Sequence, residues 1–181
     1  MTQVAPPERE RVLDLGSGTG TLSRMLKRAC PGAGVTGLDA DPGIVARARR
    51  RAAEEELAID FHQGMASAPP FARASFDHVV SSLFFHHLTP VEKCRSLLAA
   101  YDLLKPGGQL HIADWGRPHD PLMRVAFLLV QALDGFPTTA DSVRGLLPTY
   151  LEGAGFGCVE ETWRTRTVLG TLSIHRAVKP R

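Results

Sequence analysis

Apolar positions along the chain follow two alternating rhythms. Arg11-Val12-Leu13-Asp14-Leu15 is a short apolar run that stops at Gly16-Ser17-Gly18-Thr19-Gly20, and Leu22, Met25, Leu26 and Ala29 then recur at helical spacing until Pro31-Gly32. Strand, glycine loop and helix are predicted in that order. Val35 to Asp39 is a second strand. Asp41-Pro42 then caps a helix running to about Glu56, with Ile44, Val45, Ala48 and Ala52 on one face. Ile59 to His62 is a weaker third strand, and Phe76 to Ser81 is a fourth, apolar enough to be buried on both faces. Pro90 opens a helix carrying Val91, Cys94, Leu97, Leu98 and Leu104, which Lys105-Pro106-Gly107-Gly108 stops before a fifth strand, Gln109 to Asp114. Strands alternating with helices imply an α/β fold with a parallel sheet.

The carboxyl-terminal third changes style. Residues 120 to 133 are apolar nearly all round, and a further helix is predicted from about Thr139 to Ala154. Phe156 to Thr162 and Leu169 to Val178 then read as two strands with no helix between them, an antiparallel hairpin at a sheet edge.

Composition narrows the possibilities. At 181 residues, 44% hydrophobic and 22% charged, the chain suits one domain over 1–181, with 1–10 as a short tail. A formal net charge of +2 gives no polycation, so nucleic acid is not expected as a partner. The Arg47-Arg49-Arg50-Arg51 cluster is followed by Glu54-Glu55-Glu56, the mark of a solvated helix face. Cys30, Cys94 and Cys158 have neither zinc spacing nor even number, which favours reduced thiols and no metal. The first ten residues lack a signal-like apolar core, and the longest apolar stretch, Val125 to Val130, is far below the roughly 20 residues a span needs. The expectation is a cytoplasmic protein with no membrane insertion.

An open parallel sheet binds ligands at the carboxyl ends of its strands, which puts the glycine loop at the expected site. Nicotinamide and flavin enzymes use G-x-G-x-x-G, whereas here the glycines fall at 16, 18 and 20 and position 21 is Thr. Asp39 ends the second strand nineteen residues after Gly20, where an acid can accept hydrogen bonds from both hydroxyls of a ribose. With Asp14, the arrangement Asp-x-Gly-x-Gly-x-Gly resembles the class I S-adenosylmethionine-dependent methyltransferases. So do Leu104-Lys105-Pro106-Gly107-Gly108 before strand five, Phe76-Asp77 opening strand four and Gly170-Thr171-Leu172 opening the last strand. The likeness covers nearly the whole chain and is greatest to the small-molecule branch that includes the quinone-biosynthesis methyltransferases.

That resemblance implies a Rossmann-like three-layer sandwich on a seven-stranded, mostly parallel sheet of order 3-2-1-4-5-7-6, strand 7 antiparallel. It implies S-adenosyl-L-methionine as cofactor, methylation of a small-molecule acceptor, and a cofactor site drawn from Asp14, Gly16, Ser17, Gly18, Thr19, Gly20, Asp39, Ala40, Gly64, Met65, Ala66, Ser81 and Ser82. One departure stands out. Relatives often carry an acid after strand three that accepts a hydrogen bond from the adenine amino group, and this chain has Gly64-Met65-Ala66 there. Met65 can still pack on the ring, with a loss on the order of 1 kcal/mol for the missing bond. Asp77, at the other end of its strand, is read as structural.

Methyl transfer needs an aligned nucleophile, exclusion of water and sometimes a base. The catalytic candidates are His86, His87 and Asp114, with Phe85 and Trp115 as substrate-binding candidates and the phenylalanines 84 and 85 as a screen or cation-π wall for the sulfonium. His62, His78, His111 and His175 lie in strands and receive no role. Family resemblance places substrate-facing insertions between strands five and six, so 116–147 is the expected acceptor-site or lid segment. Its apolar part, 121–133, suits a buried helix, a lid over an aromatic acceptor or a homodimer contact. The competing readings are a non-catalytic S-adenosylmethionine-binding or partner protein on the same fold, and a nicotinamide oxidoreductase, which Thr21 disfavours.

Overall fold

The computed structural model describes residues 9–181, apart from the side chain of Asp134, so residues 1–8 of the expected tail lie outside it. Chain order is β1 (Arg11–Leu15), α1 (Thr21–Ala29), β2 (Gly34–Asp39), α2 (Pro42–Glu54), β3 (Asp60–Gln63), β4 (Phe76–Ser82), a 3₁₀ turn (Phe85–His87) and α3 (Pro90–Leu103). There follow β5 (Leu104–Trp115), α4 (Pro121–Asp134), α5 (Phe136–Arg144), α6 (Leu147–Gly153), β6 (Gly157–Thr167) and β7 (Gly170–Val178). The seven strands form one sheet of order β3-β2-β1-β4-β5-β7-β6. All neighbours on the β3 side of β5 pair parallel, and β7 runs antiparallel to both β5 and β6.

Burial on both faces explains the continuous apolar runs of the central strands. Val12 and Val80 pack with Leu26 of α1, whereas Leu13 and Val79, one residue along, pack with Leu97 and Ala100 of α3 and Leu151 of α6. Phe61 of β3 joins Val45, Ala48 and Ala52 of α2. The result is helix, sheet, helix, with the carboxyl ends of β1, β2, β4 and β5 converging on one edge. At the other edge Asp77 accepts from the Arg11 amide at 2.9 Å and from Lys105 Nζ at 2.7 Å. Partial burial acts to raise its pKa, but these donors hold the carboxyl below the usual range.

Several boundaries differ from expectation. The helix expected over 139–154 is two: α5 closes on Gly145 in the left-handed region (φ 70°), and Pro148, with no amide hydrogen, opens α6. β5 begins at Leu104, so Lys105-Pro106-Gly107-Gly108 is a bulge inside the strand, five residues of β5 passing two of β4. The first hairpin strand runs five residues further than expected, to Thr167, and the second starts at Gly170, leaving only Val168 and Leu169 at the tip. α4 is not a buried helix: Met123, Phe127 and Val130 face inward, while Leu122, Val125, Leu129 and Leu133 are exposed.

The bulge leaves no room for a side chain at Gly108, whose added Cβ would stand 2.9 Å from both the Asp77 and the Lys105 carbonyl oxygens. Gly108→Ala is therefore expected to cost about 1–3 kcal/mol, read as a lower urea midpoint at unchanged m-value.

Candidate functional site

The loop after β1 turns on Gly16, Gly18 and Gly20, all with φ between 53° and 75°. The amides of Gly16 and Ser17 both donate to the Leu38 carbonyl at 2.9 Å, which draws the loop over the end of β2. The next amide, Gly18, donates to Asp39 Oδ2 at 2.8 Å, and Asp41 donates to Oδ1 at 3.1 Å. Packing explains two of the three glycines. A Cβ on Gly16 would overlap the Phe84 ring, and one on Gly20 would come within 2.6 Å of Phe61, whereas nothing lies within 4 Å of the corresponding point at Gly18. Gly18 thus faces open space, where a side chain would take the room a ligand needs.

Beside that loop is a cleft of about 130 Å³, lined by Gly16, Leu38, Asp39, Ala40, Gly64, Met65, Ala66, Ser67, Phe84, Leu88, Glu92 and Ser96. Six of the residues named from sequence meet here: Gly16, Asp39, Ala40, Gly64, Met65 and Ala66. Others turn away from it. Thr19 Oγ1 accepts from Arg51 at 2.9 Å, Gly20 begins α1 against Phe61, and Ser81 Oγ is buried and donates to the Leu15 carbonyl at 2.7 Å. Ser17 is buried under the loop, and Ser82, half-buried, closes β4.

Of the two phenylalanines expected as a screen, one reaches the cleft. Phe84, half-buried, packs on Gly16 and lines the cleft, while Phe85 is 2% exposed in the core and meets Phe84 edge-on at 5.6 Å. Leu38, Ser67, Leu88, Glu92 and Ser96 were given no role in the site from sequence. Glu92 carries a visible signal of a different kind, since with Thr89 it forms the capping box of α3.

Asp14 lies beneath the loop, 1% exposed, and accepts from Ser23 Oγ at 2.6 Å. Burial pushes its carboxyl up to about 6, with the Ser23 donors pulling the other way and the Asp39 charge adding to the rise.

Behind Phe84 is a second, smaller chamber lined by Phe85, His86, Lys93, Asp114, Trp115, Asp141, Ser142, Leu147 and Tyr150. His86 Nδ1 lies 2.7 Å from Asp114 Oδ1, and the His86 amide donates to Oδ2 at 3.2 Å. Trp115 N also donates to Oδ1, at 2.7 Å. Both Asp114 oxygens are thus engaged within the protein. His87, exposed, lies tilted against His86 with ring centroids 3.9 Å apart, and Trp115 lies between His86 (6.3 Å) and Phe127 (5.6 Å). The far wall is a buried polar cluster: Lys93 Nζ donates to the Thr138 carbonyl at 2.6 Å and to Asp141 at 3.2 Å, and Tyr150 donates to the same Asp141 oxygen at 2.9 Å. It ties α5 and α6 to α3. Burial, followed by the Asp141 contact, pushes the Tyr150 hydroxyl up to about 12. Among the described residues no group of three or more His, Cys, Asp or Glu could hold a metal ion.

A loop that buries its own amides against β2 while leaving Gly18 open, beside an acid at the end of β2 on a 3-2-1-4-5-7-6 sheet, defines the class I methyltransferase architecture. Residues 12–108 match the methyltransferase domain family, and the chain belongs to it. It is a class I S-adenosylmethionine-dependent methyltransferase with a small-molecule acceptor, of the type found in ubiquinone and menaquinone biosynthesis. It is 36% identical to the ubiquinone/menaquinone biosynthesis C-methyltransferase UbiE of Cereibacter sphaeroides over 200 aligned positions, covering 99% of this chain and 78% of that protein. It is 39% identical to the demethylmenaquinone methyltransferase of Thermus thermophilus over 109 residues, 60% of this chain, which span only 49% of that relative. Among solved structures, an S-adenosylmethionine-dependent methyltransferase of Methanosarcina mazei superposes with a TM-score of 0.77 at 25% identity, covering 97% of this chain and 95% of that one.

The folded chain binds a proton at Asp14 more tightly than the unfolded chain, whose value is near 3.8. Its contribution to stability is therefore greatest below pH 4 and is lost as pH rises to about 6, a difference of about 3 kcal/mol. Asp14→Asn removes this term, so the variant should gain on the wild type by about that amount between pH 4 and pH 7 in urea unfolding; parallel pH profiles would contradict it.

Proposed function

We propose that the protein methylates a ring carbon of a quinol, with His86 as general base and Asp114 as the group that orients it. The observation that carries this reading is the buried His86–Asp114 pair, 4% and 3% exposed, set beside aromatic walls one residue behind the cleft. Asp114 takes the Nδ1 hydrogen, which assigns the acceptor lone pair of the neutral ring to Nε2. Withdrawing the proton of a ring hydroxyl onto His86 Nε2 raises electron density at the neighbouring ring carbon, the atom that must attack; after the methyl group has joined it, that carbon loses its own hydrogen as a proton, which returns to the ring oxygen and restores the aromatic quinol. Trp115, which lines the chamber and is backed by the buried Phe127, offers its ring to an aromatic acceptor. The names of the Thermus and Cereibacter relatives point to the same acceptor class.

The residues present suit the cofactor. S-adenosylmethionine supplies an electrophilic methyl group on a sulfonium, leaving as a neutral thioether. Asp39, pre-oriented by the amides of Gly18 and Asp41, keeps lone pairs for two ribose hydroxyls. Gly18 leaves the loop backbone open to it, Met65 offers an apolar surface to the purine, and Phe84 with Leu88 keeps water from the reacting end. Asp14, Ser17, Thr19, Gly20, Ser81 and Ser82 hold the loop and strand ends rather than the ligand. Segment 116–147 supplies the acceptor wall through its inward side chains.

Two measurements test this. Asp39→Ala should weaken S-adenosylmethionine by roughly 2 kcal/mol, about thirtyfold, in calorimetric titration, and unchanged affinity would misplace the cofactor. In turnover assays over quinols, phenols and amines, S-adenosylhomocysteine release should be fastest with quinols. His86→Asn should slow it by about 10²–10⁴ with cofactor affinity intact; a rate near the wild type would remove His86 from the chemistry.

A further inference from the structure

The outward face of α4 has no structural purpose within the described chain. Leu122, Val125, Leu128, Leu129 and Leu133 are exposed along it, Leu133 to 78%, and Phe136 continues the strip at the start of α5. Apart from Arg124, half-buried, residues 121–133 carry no charge. The β6–β7 tip adjoins this helix: Arg166 pairs with Asp120, the residue capping α4, at 2.6 Å, and Phe127 packs on Gly170. That tip exposes Val168 and Leu169, Val168 to 91%. Exposed apolar patches of this extent mark interaction surfaces.

Charge beside the patch selects the partner. Arg117, Arg144 and Arg164 line a cleft of about 230 Å³ that also holds Trp115 and His175. The two acids nearby are already engaged, Glu161 with Arg164 at 2.9 Å and Asp120 with Arg166. Arg117 and Arg144 have no ion pair among the described residues. A two-fold contact through α4 would bring two such basic rims together, which like-charge repulsion opposes, whereas an anionic headgroup layer attracts them.

We propose that α4 and the β6–β7 tip form a membrane-docking surface, with α4 lying in the headgroup region of an anionic bilayer and Arg117 and Arg144 meeting lipid phosphates. At 14 residues, about 21 Å long, α4 is too short to cross a bilayer and has the one-sided exposed apolar face of an interfacial helix. No described helix is long and apolar enough to span. The inference rests on the quinol reading in one respect: a quinol with an apolar tail resides in the bilayer, and docking on α4 brings Trp115, which packs on Phe127 of that helix, toward it.

The test uses the intact protein sedimented with vesicles of phosphatidylcholine alone or mixed with phosphatidylglycerol. Binding is expected to the mixed vesicles and to fall with added salt. V125E/L129E, at exposed positions outside both site cavities, should reduce it at least about tenfold, and R117E/R144E should reduce it about tenfold on mixed vesicles only. No binding by the wild type, or equal binding by V125E/L129E, overturns the proposal. So does light scattering that shows V125E/L129E changing the oligomeric state, which would assign the face to a second copy. A short-chain, water-soluble quinol separates the two readings. Wild type and V125E/L129E should methylate it at the same rate; if the wild type does not, the quinol reading fails, while sedimentation decides docking independently.

Discussion

The hydrogen bond from the Gly18 amide to the Asp39 carboxylate is the contact on which the cofactor end depends. It joins the loop after β1 to the end of β2 across 21 residues of sequence and sets one carboxylate edge toward the cleft. Gly16 and Ser17 reinforce it by sharing the Leu38 carbonyl, so three successive amides are spent on β2. An amide bonded to a carboxylate is among the stronger hydrogen bonds available to a surface loop. The glycines follow from this constraint: with the backbone drawn so close, Gly16 has Phe84 against it and Gly20 has Phe61.

The chamber behind Phe84 obeys a different logic, in which buried charge is tolerated only because it is paired. Asp114 spends both oxygens on His86 and the Trp115 amide, and Lys93 and Tyr150 share Asp141. Removing one partner of such a pair leaves an uncompensated buried charge, a costly state. These two clusters therefore hold the segment after β5 against α3 and give the chamber its shape. The same segment turns its surplus of apolar side chains outward on α4.

Much of this was legible in the chain. Alternation of apolar runs with helical spacing marked five strands, and the spacing of Gly16, Gly18 and Gly20 with Asp39 located the cleft, because those features express local backbone geometry. Side-chain direction was less accessible. Phe84 and Phe85 are adjacent and chemically alike, and only the 3₁₀ turn decides that the first meets the loop and the second enters the core. Ser81 sits where a ligand contact was expected, yet strand pleating aims its hydroxyl at the Leu15 carbonyl. Gly145 and Pro148 did announce a break within the 139–154 helix, but the apolar pattern on either side masked it. For α4, hydropathy nearly all round could not say which side would meet the sheet.

The central claim is that the loop, Asp39 and Met65 hold the methyl donor while the His86 chamber adjoins its reacting end. A crystal structure with S-adenosylhomocysteine bound tests it most directly. The account predicts the ribose hydroxyls on the two Asp39 oxygens, the purine against Met65, and the sulfur directed past Phe84 toward His86. Ribose bound away from Asp39, or sulfur turned from the chamber, would contradict it.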